Sequence, residues 1–225
     1  ERSDILNTKY GALDKGLFKE EIVPIKISET YLDANEKKKT KEYIIDTDEG
    51  PRVGTNVAAL NKLRPVFANG GSVTAGNSSQ TSDGAAFVML MSEQMVKELN
   101  LTPIARLVSY AVAGVEPRIM GIGPVDAIPK ALSLAGLKQD DIDLIELNEA
   151  FASQSVACMN DLQLDPAKVN VNGGSISIGH PLGASGTRIS ATLLHEMQKR
   201  ENVKYGLATM CIGVGQGAAV IYEKL

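Results

Sequence analysis

The chain has 225 residues, 44% of them apolar and 22% charged, and a net charge of −4. These are the proportions of an ordinary globular protein of one or two domains with a sizeable core, and no apolar run reaches the length of a membrane span. The acidic balance excludes a global positive field for nucleic acid, and the absence of Trp, with 4% aromatic residues, argues against a stacking platform for single strands.

Residues 1–50 read as mixed, exposed structure, with a short strand over Lys19–Ile25 and a charged surface loop over Ala34–Lys39. Thr55–Leu63 suits a short helix that Pro65 ends, followed by a loop rich in Gly, Ser, Thr and Asn over Asn69–Gly84. The continuous apolar run Ala85–Met91 predicts a buried strand. Ser92 is placed to cap a helix over Glu93–Leu99. That strand and helix cannot close a core alone, so they must meet a sheet from outside this chain or dock on the following domain.

From Leu101 the pattern alternates. Ile104–Ala113 is a predicted strand and Val125–Ala135 a helix that stops at Gly136, with Pro129 near its first turn. Ile142–Leu147 follows as a strand, Phe151–Leu162 as a helix and Val169–Val171 as a short strand before Gly173 and Gly174. Ala184–Arg200 is a long helix, and Gly206–Cys211 pairs with Ala218–Tyr222 across a glycine-rich turn. Strands alternating with helices predict a layered α/β domain over 101–225.

Three segments of this domain carry reactive groups. In Gly179-His180-Pro181-Leu182-Gly183-Ala184-Ser185-Gly186, Pro181 limits the loop's freedom and the glycines permit close approach. An imidazole held before a helix N-terminus is expected to be neutral, able to accept a proton or to donate to a developing oxyanion. The bland reading is a histidine bonding a loop backbone; His195, in mid-helix, is read that way. In Cys211-Ile212-Gly213-Val214-Gly215-Gln216-Gly217, the turn exposes amides suited to an oxyanion and the thiol's pKa lies within reach of neutral; the bland reading is a buried structural cysteine. Asn148, in Asn148-Glu149-Ala150-Phe151, ends an apolar strand, where α/β folds place functional residues, or else caps the next helix. Cys158 is read as core filling. The two cysteines indicate neither a disulfide framework nor a zinc site, and no metal site is expected; a reducing compartment is the simpler reading. No signal-peptide pattern opens the chain, and its start on Glu1 rather than Met leads us to expect part of something longer.

Together with Gly71-Ser72-Val73-Thr74-Ala75-Gly76-Asn77-Ser78-Ser79 and Ile119-Met120-Gly121-Ile122-Gly123-Pro124, these segments resemble the C-terminal part of the thiolase family, from near Gly16 to the end. The resemblance implies the thiolase fold: residues 1–75 as the later part of its loop domain, 76–100 as the closing strand and helix of an incomplete N-terminal domain, and 101–225 as the C-terminal domain. It implies cleavage of a 3-ketoacyl-CoA by CoA, or the reverse Claisen condensation, with no permanently bound cofactor. His180 then activates a nucleophilic cysteine and stabilises an enolate oxygen, with a water held by Asn148. Cys211 is the acid and base at the acetyl carbanion, and the Gly213 amide serves a second oxyanion hole. Arg52 and Ser79 match CoA contacts, with Phe67, Met120, Ala150 and Phe151 lining the pantetheine and acyl path; Lys62 and Arg64 could add positive charge.

No residue matches the family's nucleophilic cysteine. The chain alone is therefore expected to be inactive, its partner being an absent N-terminal half, and covalent catalysis needs that group. The alternative is a thiolase-like module that binds acyl-CoA without chemistry; the coding sequence upstream of Glu1 would separate the two. A nucleotide-binding reading lacks a Gly-x-Gly-x-x-Gly unit, and a ketoacyl synthase would carry a second histidine where Cys211 stands. The family further implies a homodimer or homotetramer, in the cytoplasm if bacterial, or in a mitochondrion or peroxisome.

Overall fold

The computed structural model describes residues 15–52 and 54–225. Residues 1–14 of the segment expected at 1–75, and with them the reading of the start at Glu1, lie outside the described residues.

The first half is built from local pieces. Residues 15–21 form tight turns in which the Ile22 amide donates to the Phe18 carbonyl at 3.1 Å. The strand expected over Lys19–Ile25 is thus corrected. Phe18, only 4% exposed, anchors a turn, and extended pairing begins at Ile25, after Pro24. Strands β1 (Ile25–Leu32) and β2 (Lys38–Ile45) form an antiparallel hairpin. Its tip is closed by Asp33, whose Oδ1 accepts from the amides of Asn35 and Lys37. The charged segment Ala34–Lys39 is therefore the hairpin's turn and the first two residues of β2.

Helix α1 (Val57–Leu60) is shorter than expected and starts at Asn56, whose side chain accepts from the Ala59 amide at 2.9 Å. In the loop that follows, a 3-10 turn over Ala75–Asn77 is capped by Thr74. The segment 85–91 overturns the expected buried strand. It makes no ladder, and Phe87, Met89 and Leu90 are 92%, 81% and 71% exposed. An apolar run becomes a buried strand only where another strand pairs with it, and none among the described residues does. Helix α2 (Glu93–Glu98) begins as expected, with the Ser92 hydroxyl accepting from the Met95 amide at 3.2 Å.

The second half is a layered α/β unit. Strands β3 (Ala105–Gly114), β4 (Leu144–Leu147), β5 (Tyr205–Ile212) and β6 (Gln216–Lys224) lie in the order β3-β6-β5-β4. Only β4 and β5 run parallel; the β5–β6 hairpin is the one expected from the sequence. Between them come α3 (Gly123–Ala135), α4 (Ala152–Leu162), the single turn α5 (Ser175–Ile178) and α6 (Ser185–Lys199). The stretch Val169–Val171 contributes one bridge, from Val169 to Ile145, rather than a strand.

Helix α3 ends at Gly136, whose φ of 67° is the left-handed conformation that glycine adopts without cost. Pro124 occupies its first turn. Pro129 lies in the second turn, not the first as expected, where it removes the amide that would bond the Val125 carbonyl.

Successive strand residues point to opposite faces, and here the two faces bury different helices. Ile145, Leu147, Leu207 and Ile221 pack on Ile128 and Leu132 of α3 and Cys158 of α4. Leu144, Ala208 and Tyr222 pack on Ile189, Leu193 and Met197 of α6. Each fully buried Leu or Ile contributes roughly 1.5–3 kcal/mol. These two cores fix the sheet and leave the carboxyl ends of β4 and β5 side by side.

Candidate active site

Asn148 follows the last residue of β4, and its amide donates to the Thr209 carbonyl of β5 at 3.0 Å. The asparagine is fully buried. It does not cap the next helix, whose N-cap is Phe151, with no side-chain cap bond. Instead its Oδ1 accepts from the Ser175 hydroxyl at 2.6 Å, and its Nδ2 lies 3.5 Å from Nε2 of His180. The bland reading of Asn148 is thereby displaced.

His180 sits in the bend between α5 and α6. Its amide donates to the Gln80 carbonyl at 2.9 Å, and Thr81 bridges to it in parallel. Its Nδ1 lies 2.5 Å from the Ser185 hydroxyl, which donates to the Pro181 carbonyl at 3.0 Å. The strand-like segment 78–82 therefore runs along the bend. The approach is close: a Cβ on Gly179, whose φ is 96°, would meet the Ser82 hydroxyl. The imidazole's proton affinity is held below its ordinary value, as expected, but chiefly by burial and then by the Arg188 guanidinium. Helix α6 starts five residues later, at Ser185, so its N-terminus is not the main cause.

Behind this pair lies a polar cluster that the sequence reading missed. Arg188 donates to Ser175 at 3.0 Å, and its Nη1 stands 3.9 Å from Oε2 of Glu146, which is 3% exposed. Glu149, also buried, accepts from Asn170 Nδ2 at 3.0 Å and from the Ile176 amide at 3.2 Å. An acid inside the apolar run of β4 and an arginine on the inner face of α6 are the signals that could have revealed the first pair, because buried charges are paired.

Cys211 is 5% exposed, near the end of β5, opposite Gly217 on β6. Burial raises its thiol pKa, so the thiol holds its proton at neutral pH. The near-neutral value expected for it does not hold in this environment, which favours an acid over a base. By strand alternation Cys211 shares the face of Leu207, toward α3 and α4. Met210 lies on the α6 side, and the His180 ring bonds Ser185, the first residue of that helix. The His180 bend, through Asn148, and Cys211 both stand at the carboxyl edge of the sheet, beyond β4 and near the end of β5. Gly213 lies in the following turn with open space where a side chain would start. Cys158 is core filling: fully buried, its Sγ 3.4 Å from the Gly121 carbonyl, and its pKa pushed up by burial to about 11.

The remaining candidates fall into two groups. The Ser79 amide donates to the Ala150 carbonyl at 2.9 Å, Ser78 bridges to Phe151, and the Phe67 ring meets that of Phe151 edge-on at 6.0 Å. Next to them in the chain, Asn77 and Ala152 line a recess of about 180 Å³ with Leu60, Leu63, Ser72 and Ile176, a mixed polar and apolar wall. Met120 precedes Gly121, which packs on Gln154 of α4. Arg52 stands apart and exposed, two residues beyond Gly50, whose carbonyl accepts from Gln80 Nε2; Lys62 and Arg64 are exposed as well. Among the described residues no group of three His, Cys, Asp or Glu side chains could hold a metal ion, and no helix is long and apolar enough to cross a membrane.

Comparison with known proteins bears on this arrangement. The family described as "Thiolase, N-terminal domain" matches residues 7–94, and "Thiolase, C-terminal domain" matches 101–224. A 3-ketoacyl-CoA thiolase of Bacillus subtilis is 53% identical over 212 residues, covering 94% of this chain and 54% of the relative. The acetyl-CoA acetyltransferase of Bacillus anthracis superposes with a TM-score of 0.91 at 44% identity, over 98% of this chain and 53% of that one. Human mitochondrial 3-ketoacyl-CoA thiolase in complex with CoA gives 0.84 at 42%, over 100% and 53%. The dimeric peroxisomal thiolase of Saccharomyces cerevisiae gives 0.86 at 41%, over 100% and 55%. The chain spans about half the length of the curated relatives it matches.

Proposed function

The chain belongs to the thiolase family, and on that premise we propose that it supplies the acid–base half of a thiolase active site. The reaction is thiolytic cleavage of a 3-ketoacyl-CoA by CoA, giving acetyl-CoA and a shortened acyl-CoA, or its reversal. The observation that carries this reading is the pair of buried Asn148 and half-buried His180 at the carboxyl edge of the sheet, with the protonated Cys211 on the neighbouring strand.

His180 accepts the proton of a nucleophilic thiol and, as imidazolium, donates to the enolate oxygen. Asn148 serves the same oxyanion hole. Cys211 gives its proton to the acetyl carbanion as the carbon–carbon bond breaks, then takes one from the incoming CoA thiol. The Gly213 amide donates to the oxyanion formed as the acyl group is transferred. The nucleophile comes from outside these residues, because Cys158 is buried with a high pKa and Cys211 is engaged as the acid. The CoA complex of the human neighbour supports CoA as the ligand. The recess and the Phe67–Phe151 pair suit a pantetheine or acyl chain, with Ser79, Met120 and Ala150 along the same path and Arg52 toward the phosphates. Residues 1–75 and 76–100 are then parts of a loop domain and an N-terminal domain, and 101–225 the C-terminal domain. The dimeric yeast neighbour supports a homodimer.

The test is cleavage of a 3-ketoacyl-CoA by CoA, assayed with the pure chain and with the first half of the Bacillus subtilis relative supplied. No turnover alone and turnover on complementation are expected. Turnover by the pure chain would refute the assignment of the nucleophile. CoA binding without turnover in the complemented enzyme would favour an acyl-CoA-binding module.

A further inference from the structure

We infer that Arg188 and Ser175 are positioning residues that set which nitrogen of His180 carries the proton, by fixing the orientation of the Asn148 amide. This rests on the thiolase reading for its purpose, but not for its geometry.

The argument follows the hydrogens. A guanidinium can only donate, so Ser175 Oγ, 3.0 Å from Arg188 Nη2, accepts there. That hydroxyl has one hydrogen to give, and it points at Asn148, 2.6 Å away. With that hydrogen given to Asn148, the atom facing Ser175 is the carbonyl Oδ1, which turns the amide nitrogen toward His180. An amide nitrogen can only donate, so Nε2 of His180, at 3.5 Å, accepts. The neutral imidazole then carries its hydrogen on Nδ1 and donates to Ser185 Oγ at 2.5 Å. The Ser185 hydroxyl ends the series by donating to the Pro181 carbonyl at 3.0 Å.

The two ends admit no reversal, because Arg188 has no acceptor and Pro181 O has no hydrogen. With Ser175 donating to Asn148 and Ser185 to Pro181, the directions of the bonds between them follow. The Nε2 lone pair, which the Asn148 amide engages in the resting chain, is the one a proton-accepting imidazole needs. Ser175 is fully buried and the Arg188 side chain is 18% exposed, which limits water's competition for these bonds.

The test is the nitrogen-15 spectrum of the histidine rings in the 225-residue chain, without substrate, at a pH where His180 is neutral. The chain has two histidines, and His195→Gln assigns the signals. In the wild-type chain the Nδ1–H form is expected, with Nε2 at the shift of an unprotonated nitrogen. Ser175→Ala frees the amide to turn and should move the signals toward the Nε2–H form; Ser175→Thr, which keeps the hydroxyl, should restore them. Asn148→Asp has the same shape but offers an acceptor to Nε2, and should place a proton there even if Ser175→Ala does not fold. An Nε2–H form in the wild-type chain, or an unchanged tautomer in Ser175→Ala or Asn148→Asp, would overturn the proposal. Because no turnover is measured, its failure is distinct from a failure of the thiolase reading, which the CoA-dependent assay decides.

Discussion

The side-chain amide of Asn148 stands 3.5 Å from Nε2 of His180, although 32 positions separate them in the chain. Asn148 is held from β4, through its backbone bond to β5, and His180 from the bend before α6. The pair exists because the two hydrophobic cores lock those elements on the same sheet. A partner for His180 is thus supplied by the fold rather than by a local motif, and the consequences are measurable.

The first consequence is in pH and stability. Burial and then Arg188 lower the proton affinity of folded His180, while the unfolded chain keeps a value near 6.5. Between the two values the unfolded state binds more protons, so the neutral imidazole's contribution is complete above about pH 6.5 and is lost as pH falls through the folded value. Denaturant unfolding of wild type and His180→Gln as a function of pH should give a difference that closes on acidification. Glu21 and Asp48, whose carboxyls burial pushes upward, affect both proteins equally and cancel. A difference that grew toward acid pH would contradict the buried, neutral state.

A second consequence concerns the thiols. Cys211 and Cys158 are 5% and 0% exposed, and burial raises both pKa values. Since the thiolate is the reactive form, iodoacetamide at pH 8 should label neither quickly in the native chain and both in denaturant. Intact mass against time reads the result. Rapid labelling of native Cys211 would show it ionised or open to solvent.

A third separates two glycines of the Cys211 segment. A Cβ on Gly217 would lie 2.1 Å from the Gly123 carbonyl oxygen, where the start of α3 touches β6, whereas one on Gly213 meets nothing within 4 Å. Gly217→Ala forces backbone apart and should cost about 1–3 kcal/mol or more. Gly213→Ala should stay within about 0.5 kcal/mol. Thermal unfolding distinguishes them; equal losses would show that the turn is packed otherwise.

Much of the second half could be read from sequence because its signals are local. Ser92 and Gly136 mark helix ends by their own chemistry, and the β5–β6 hairpin is announced by the glycines between its strands. Three readings failed where the deciding partner is remote. The apolar run at 85–91 says that something must cover it, not what does. The strand read at 19–25 gives way to a turn because Phe18 finds a buried site. Ser175 and Arg188 carry no local signal, because serine and arginine on a helix usually face solvent; only the fold turns them toward Asn148. The motifs point to an imidazole and a thiol, while the bond that brings His180 to Asn148 at the end of β4 follows only from the folded sheet.

The account's central claim is that His180 and Cys211, both at the carboxyl edge of the sheet, act on one transition state. A double-mutant cycle in the enzyme completed by the Bacillus subtilis first half tests it. His180→Ala and Cys211→Ala should each lower thiolysis by about 10²–10⁴-fold, and the double variant should be little slower than the slower single variant, as for groups that act as a unit. Effects that multiply in the double variant, or a single variant with unchanged rate, would show that the two groups do not share a site.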